Sequence, residues 1–422
     1  QEMSFYYLAA IESERGHYEE ALEFVEKGLV KNAHNIKARG LKAVILRKLG
    51  RTEAARRQIE ENLRVDPFDY LSRFELTQIS SEHDAVLGEM NALMRGFREN
   101  YLQTARDYAE AGCLEEAVAV LDQCGDGYPM LAYYRAYYLR GMGEAEKAAE
   151  ECRRADACSP LYCFPNKLED IAVLECASEL YPEGAMAYYY LGDLYYDKLQ
   201  FERAVRLWED AAARRPDFPT VHRNLALAYF NKQGEAEKAR AEIEKAFALD
   251  ESDARVFLEL DQLYKKLEVD FETRLKNYEE HIGLTRMRDD VMIEYVTLCN
   301  LLGMHEKAYE TIMSHIFGPW EGAEGKITTQ YKTALLEMAK KKLEEEKYAE
   351  AEELLERCLS YPENLGEGRL EGTKDNNIYY YLGVVKKHLG KTEEALDCFH
   401  LAELGENEPA GVMYYYDQPA DM

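Results

Sequence analysis

The chain of 422 residues contains no run of eighteen or more apolar residues, so no segment is suited to cross a bilayer as a helix. It also lacks Val/Ile/Thr-rich alternation bounded by turn residues, and this predicts a chain without sheet. Signatures of catalysis are missing: there is no His-Glu-x-x-His, no glycine-rich phosphate loop and no nucleophile elbow. A self-contained active site is therefore not expected, nor is a cofactor. The nine cysteines are odd in number and form no Cys-x-x-Cys pair. Cys152, Cys158 and Cys163 cluster, but no histidine stands near them to complete a zinc pattern, so no metal is expected. Reduced thiols and a cytoplasmic location are the expectation. Positive charge is scarce too. Lys and Arg number 52 against 80 Asp and Glu, a net −28, which argues against nucleic acid as the partner because phosphate neutralisation needs basic patches.

What the sequence does contain is a repeated helical hairpin. Tyr188, Leu191 and Tyr195 lie three or four residues apart and share one helix face. Gly192 leaves room for a second helix, on which Ala204 is small, Trp208 is large and Ala211 is small again. Pro216 ends the unit. This small–large order at this spacing is the tetratricopeptide signature. It recurs: Gly16, Ala21 and Leu29 are matched 34 residues on by Gly50, Ala55 and Leu63. Leu225, Tyr229, Ala239 and Ile243 form the copy after the best one, with one extra residue in its turn. Phe257, Leu260 and Tyr264 open another, whose second helix over 271–282 loses the small residues. Gly303/Ala308, Tyr348/Ala351 and Gly383/Ala395/Phe399 mark further copies, and weaker ones centre on Ala117 and Ala148. The predicted fold is all-α, a right-handed α-solenoid superhelix of roughly nine to ten such repeats. Cys152, Cys299 and Cys358 fall at repeat core positions, where a thiol acts as a small hydrophobe.

Three segments depart from the repeat. Ser159 to Lys167 is a Pro/aromatic break leading into a lone helix over 168–180. Phe317 to Lys326 puts a tryptophan, two carboxylates and a lysine in a glycine-rich loop, and Tyr361 to Asn377 is a third irregular loop expected near the second. These breaks divide the chain into an N-terminal arm (1–160), a central array (161–316) and a C-terminal part (317–422). Residues 31–64 invert the overall charge, with ten Lys/Arg against Glu53, Glu60 and Glu61. They serve either to dock on an acidic neighbour in the same chain or to bind an anionic partner. Gln1 begins directly in a repeat, and the polar, aromatic segment Met413–Met422 stops where another could begin, so a longer parent protein is expected.

The stretch from Gly318 through Trp320 to Lys326, with Pro362–Glu367, Pro165–Asp170, Tyr415–Met422 and the Tyr188–Trp208 repeat, resembles the C-terminal half of a family of large bacterial proteins. In that family an N-terminal β-rich domain precedes a long tetratricopeptide array. The resemblance spans nearly the whole chain and implies a bacterial protein with a carbohydrate-related role; Ala323 stands where the family loop has glycine. In such arrays the first helix of each repeat lines the concave face. The groove residues expected here are Tyr189, Asp193, Tyr196, Asp197, Arg223, Phe230, Asn231, Arg255, Gln262, Lys265 and Lys266. They run from acidic–aromatic to basic, which suits an extended peptide or partner domain, the chain's own N-terminal domain included. The Lys/Asn/Lys/Arg clamp that holds chaperone C-termini is not in register. The alternative function is an accessory solenoid that completes a carbohydrate site through Trp320, Glu321, Glu324 and Lys326, with Trp320 as stacking platform. The same loop also allows a structural role, with Trp320 packed between repeats and its acids capping the helix near Lys326.

Overall fold

The computed structural model describes residues 2–125, 127–318, 320–370 and 373–404; the expected polar–aromatic segment Met413–Met422 lies outside them. The described residues hold twenty-four α-helices and no strand. They divide into two compact units between Ala228 and Tyr229.

In the first unit six helix pairs follow one another: Glu2–Glu14 with Tyr18–Lys31, Ile36–Lys48 with Thr52–Val65, Tyr70–Ile79 with His83–Met94, Arg98–Glu110 with Leu114–Leu121, Pro129–Gly141 with Ala145–Asp156, and Met186–Asp197 with Phe201–Arg214. The lone helix Leu168–Leu180 stands where the sequence placed it, and Pro219–Ala228 closes the unit. The second unit opens on a π-turn, Tyr229–Gln233, and the helix Ala236–Leu249. Its pairs are Ala254–Lys266 with Phe271–Glu280, Asp289–Leu301 with His305–Met313, Lys326–Glu344 with Tyr348–Cys358, and Asn376–His388 with Thr392–Leu404. Within each unit the pairs pack in chain order, which is α-solenoid stacking.

The reason these pairs close is visible at the small positions. Ala21, Ala55, Ala117, Ala148, Ala204, Ala239, Ala308 and Ala351 are all fully buried on second helices. A methyl group is the most that fits there. Opposite them, a Cβ at Gly192 would overlap the Trp208 indole, and one at Gly383 would come within 2.7 Å of Phe399 Cε1. The extra residue expected after Tyr229 appears as the π-turn, where Glu235 N reaches back to Tyr229 O at 3.0 Å. An inserted residue is thus absorbed by a wider turn without shifting the helix that follows. The pair Tyr70–Ile79/His83–Met94 carried no small-residue signal, because Met90 and Met94 fill its core in place of alanine.

Half of the basic segment's ten cations pair with acids elsewhere in the first unit. Arg47 Nε donates to Glu75 Oε2 at 2.7 Å and its Nη2 to Glu116 Oε1 at 2.7 Å, while Tyr108 Oη donates to Glu75 Oε1 at 2.8 Å. Lys37 pairs with Asp107 (3.0 Å), Lys42 with Glu26 (2.9 Å), Lys48 with Glu116 (2.6 Å) and Arg51 with Glu19 (2.6 Å). The fully buried Glu75 makes this network a fastener between helix pairs. Docking on acidic neighbours, the first of the two sequence readings, is what these pairs display.

Candidate functional site

The expected groove residues fall in both units, and each set is described within its own. In the first unit, Tyr189, Asp193 and Tyr196 follow one another at helical spacing on Met186–Asp197. Gly192, beside Asp193, presents no side chain, so the indole of Trp208 lies against the helix backbone. That placement brings Trp208 Nε1 to 3.1 Å from Asp193 Oδ1 and 3.3 Å from Tyr189 O. Asn224 Nδ2, from Pro219–Ala228, donates to the same Oδ1 at 3.1 Å, and the Tyr189 hydroxyl adds a third donor. The Tyr196 ring lies 5.3 Å from the Trp208 ring and edge-on to Phe201 at 5.0 Å. Tyr189 differs from its expected open position: only 8 % exposed, it packs edge-on against Phe218 at 4.9 Å. Its ring is a wall behind the carboxylate, because the large indole draws that flank of the helix inward. Asp197 is exposed and pairs with Lys198 at 2.7 Å, and Arg223 is half-buried.

Asp193 is the unusual member. Burial pushes its carboxyl up to about 7, against the opposing pull of hydrogen bonds from Trp208, Tyr189 and Asn224. The consequence for stability has a definite sign. Below pH 4 both folded and unfolded chains hold the proton. As pH rises from about 4 to about 7, the unfolded chain releases it first, and the folded state loses up to roughly 4 kcal/mol. Asp193→Asn keeps an acceptor for Trp208 and Asn224 but carries no charge. It should therefore be more stable than the wild type at pH 8, by about 1–3 kcal/mol, with the advantage vanishing near pH 4. Urea unfolding at the two pH values reads this directly; an unchanged difference between them would contradict the assignment.

In the second unit, Arg255, Gln262, Lys265 and Lys266 are exposed along Ala254–Lys266. Arg255 Nε bonds Glu259 at 3.3 Å, and Lys265 Nζ lies 3.8 Å from Glu294. Phe230 and Asn231 sit in the π-turn, the first half-buried and the second exposed.

The two irregular loops of that unit meet, as expected. Phe317 N donates to Asn364 O at 2.8 Å, and Asn364 Nδ2 donates to Ile312 O and His315 O at 2.9 and 3.0 Å. The cap of Lys326–Glu344 comes from a residue the sequence reading did not single out. Glu367 accepts from Gly325 N at 3.0 Å and from Thr328 N at 3.4 Å, placing its negative charge at the helix N-terminus. Glu321 and Glu324 do not cap; both are exposed, with Glu324 accepting from Gly322 N at 2.9 Å. Trp320 is not sealed between repeats, being 39 % exposed, and Lys326 is half-buried at the helix start. The acid shortly beyond the Asn364 bridge was the available signal for the true cap, but only the fold brings it across.

Among the described residues no group of three His, Cys, Asp or Glu is arranged to hold a metal, and no helix is long and apolar enough to cross a membrane. Cys152, Cys299 and Cys358 are buried, and burial pushes the Cys152 thiol up to about 12, far from the reactive thiolate range.

A sequence model of the tetratricopeptide repeat matches residues 191–254, which include Gly192, Asp193, Trp208 and Asn224. Among solved structures the chain is similar to MamA (41-end) from Desulfovibrio magneticus RS-1, at 20% identity over 46% of this chain and 97% of that one, with a TM-score of 0.27. It is also similar to TTC0263, a thermophilic TPR protein of Thermus thermophilus, at 18% identity over 62% of this chain and 98% of that one, with a TM-score of 0.22. The repeat match lies on hairpins whose small and large residues interlock as described, and residues 191–254 are tetratricopeptide repeat.

Proposed function

We propose that this chain is a non-catalytic interaction scaffold that holds an extended segment of a partner protein on the open faces of its first helices. The observation that carries the reading is Asp193. Its carboxylate is kept ionisable in a largely enclosed place, and its neighbours are aromatic rings and neutral donors. Polar groups retained at a stability cost mark functional sites more often than structural ones. A Lys or Arg side chain of a bound segment supplies the cation this carboxylate needs, and the half-buried Tyr196 ring offers a face to its aliphatic stem and charge. In the second unit, the exposed Arg255, Lys265 and Lys266 form a separate face suited to acidic residues.

The test is fluorescence anisotropy with labelled, unstructured peptides of equal length that are basic, acidic or neutral. The basic peptide should bind saturably at pH 8 and low salt, and Asp193→Asn should weaken it about tenfold while leaving the acidic peptide unaffected. A chain that binds none of the three, or binds the basic peptide equally after the substitution, does not use this face.

A further inference from the structure

Between Ala145–Asp156 and Leu168–Leu180 the first unit turns one short segment outward. Leu161, Tyr162, Phe164 and Leu168 expose 73, 77, 72 and 70 % of their surfaces. Large apolar side chains displayed this openly within eight residues are a patch, and solvated apolar patches mark interaction surfaces.

The display is held rigid from below. Cys163 is buried between the exposed neighbours, and its N–H donates to Pro160 O at 3.2 Å. The N–H groups of Asn166 and Lys167 donate to Asp170 Oδ2 at 3.0 and 2.9 Å, and Asp170 Oδ1 accepts from Tyr134 Oη at 2.6 Å. Arg98, stacked 4.1 Å over the Tyr128 ring, donates from Nη2 to Tyr162 O at 3.3 Å. Tyr162 itself sits at φ +59°, a left-handed conformation that costs an aromatic residue about 1–2 kcal/mol. Strain of this kind persists only where surrounding bonds over-determine it, and here it aims the ring at solvent. The crevice beneath Phe164 measures about 20 Å³, room for a single water, so a small molecule is not the occupant.

We propose that this loop is the contact face of a homodimer in which two copies of the chain meet loop to loop. A two-fold contact needs a self-complementary patch, and an apolar one meets its own copy without mismatch. Charge selects the place. The chain carries −28 overall, so copies repel over most of their surface. Residues 95–99 and 151–169, which hold the loop and its Arg98 support, carry five cations against four carboxylates. Here a second copy approaches a balanced surface. The four side chains expose on the order of 500 Å², and with a polar rim this reaches the ~800 Å² per partner of a standard interface. An anionic bilayer is disfavoured by the same net charge.

Sedimentation velocity of the full chain in reductant, across about a hundredfold concentration range, tests this. The wild type should show a reversible monomer–dimer equilibrium, and Tyr162→Ser with Phe164→Ser should raise its dissociation constant by about a hundredfold or more. Both side chains are exposed, so the variant's thermal midpoint should match the wild type, and Val30→Ser, exposed outside the loop, should leave association unchanged. A wild type that stays monomeric throughout overturns the proposal, as does a dimer that survives the double substitution. Binding of such a monomer to phosphatidylserine vesicles through the same residues would likewise overturn it, assigning the loop to a lipid surface.

Discussion

Trp208→Ala should destabilise the first unit by about 3–5 kcal/mol, read as a lowered urea midpoint at unchanged slope. The side chain is 3 % exposed and closes the space left by Gly192. Its removal opens a cavity that Gly192, having no side chain, cannot fill from the facing helix. It also withdraws one of the three donors that hold Asp193, so the carboxyl should titrate higher still. Two further variants separate these effects. Trp208→Phe keeps most of the ring and loses the N–H, and should cost about 1–2 kcal/mol. Gly192→Ala drives a methyl into the indole and should cost about 1–3 kcal/mol from overpacking. Trp208 and Trp320 are the only tryptophans, so a Trp320→Phe background makes fluorescence report on this junction alone. If Trp208→Ala unfolds at the wild-type midpoint, the hairpin is not closed by this ring.

Asp261→Ala should cost the second unit a similar amount, about 3–5 kcal/mol, by a different route. Asp261 is 1 % exposed and takes a two-pronged bond from Arg274, Nε to Oδ1 at 2.8 Å and Nη2 to Oδ2 at 2.7 Å, with Tyr278 Oη on Oδ2 at 2.7 Å. Truncation strands the buried guanidinium, whose next carboxylate, Glu294, lies 3.8 Å away. Asp261→Ala with Arg274→Met removes both charges and should recover most of the loss, since it is the unpaired ion that is expensive. A double variant as unstable as the single would show that the pair is not the cause.

These two sites explain what could and could not be read along the chain. Asp261 occupies the place of Gly192, Arg274 that of Ala204 and Tyr278 that of Trp208, each of the latter two one residue later. The sequence showed that small residues were lost from the second helix there; it could not show that an ionic match replaces the steric one. The helices of that pair accordingly stand further apart than in the others. Steric complementarity is legible because Gly, Ala and Trp recur at set intervals. Partnerships such as Asp193 with Asn224, or Glu367 with Gly325, join residues 31 and 42 positions apart, and no periodicity announces them. Tyr189 was misplaced for a related reason. Helical spacing assigns a flank, and the size of the neighbouring indole decides how far that flank is drawn under.

The pairing of residues 31–64 has a kinetic corollary. Five of their cations are already answered by acids outside the segment, so little positive potential from it projects into solvent. Incoming molecules then feel a mostly negative far field, which speeds the arrival of cationic ligands in dilute buffer and fades as counter-ions thicken around the chain.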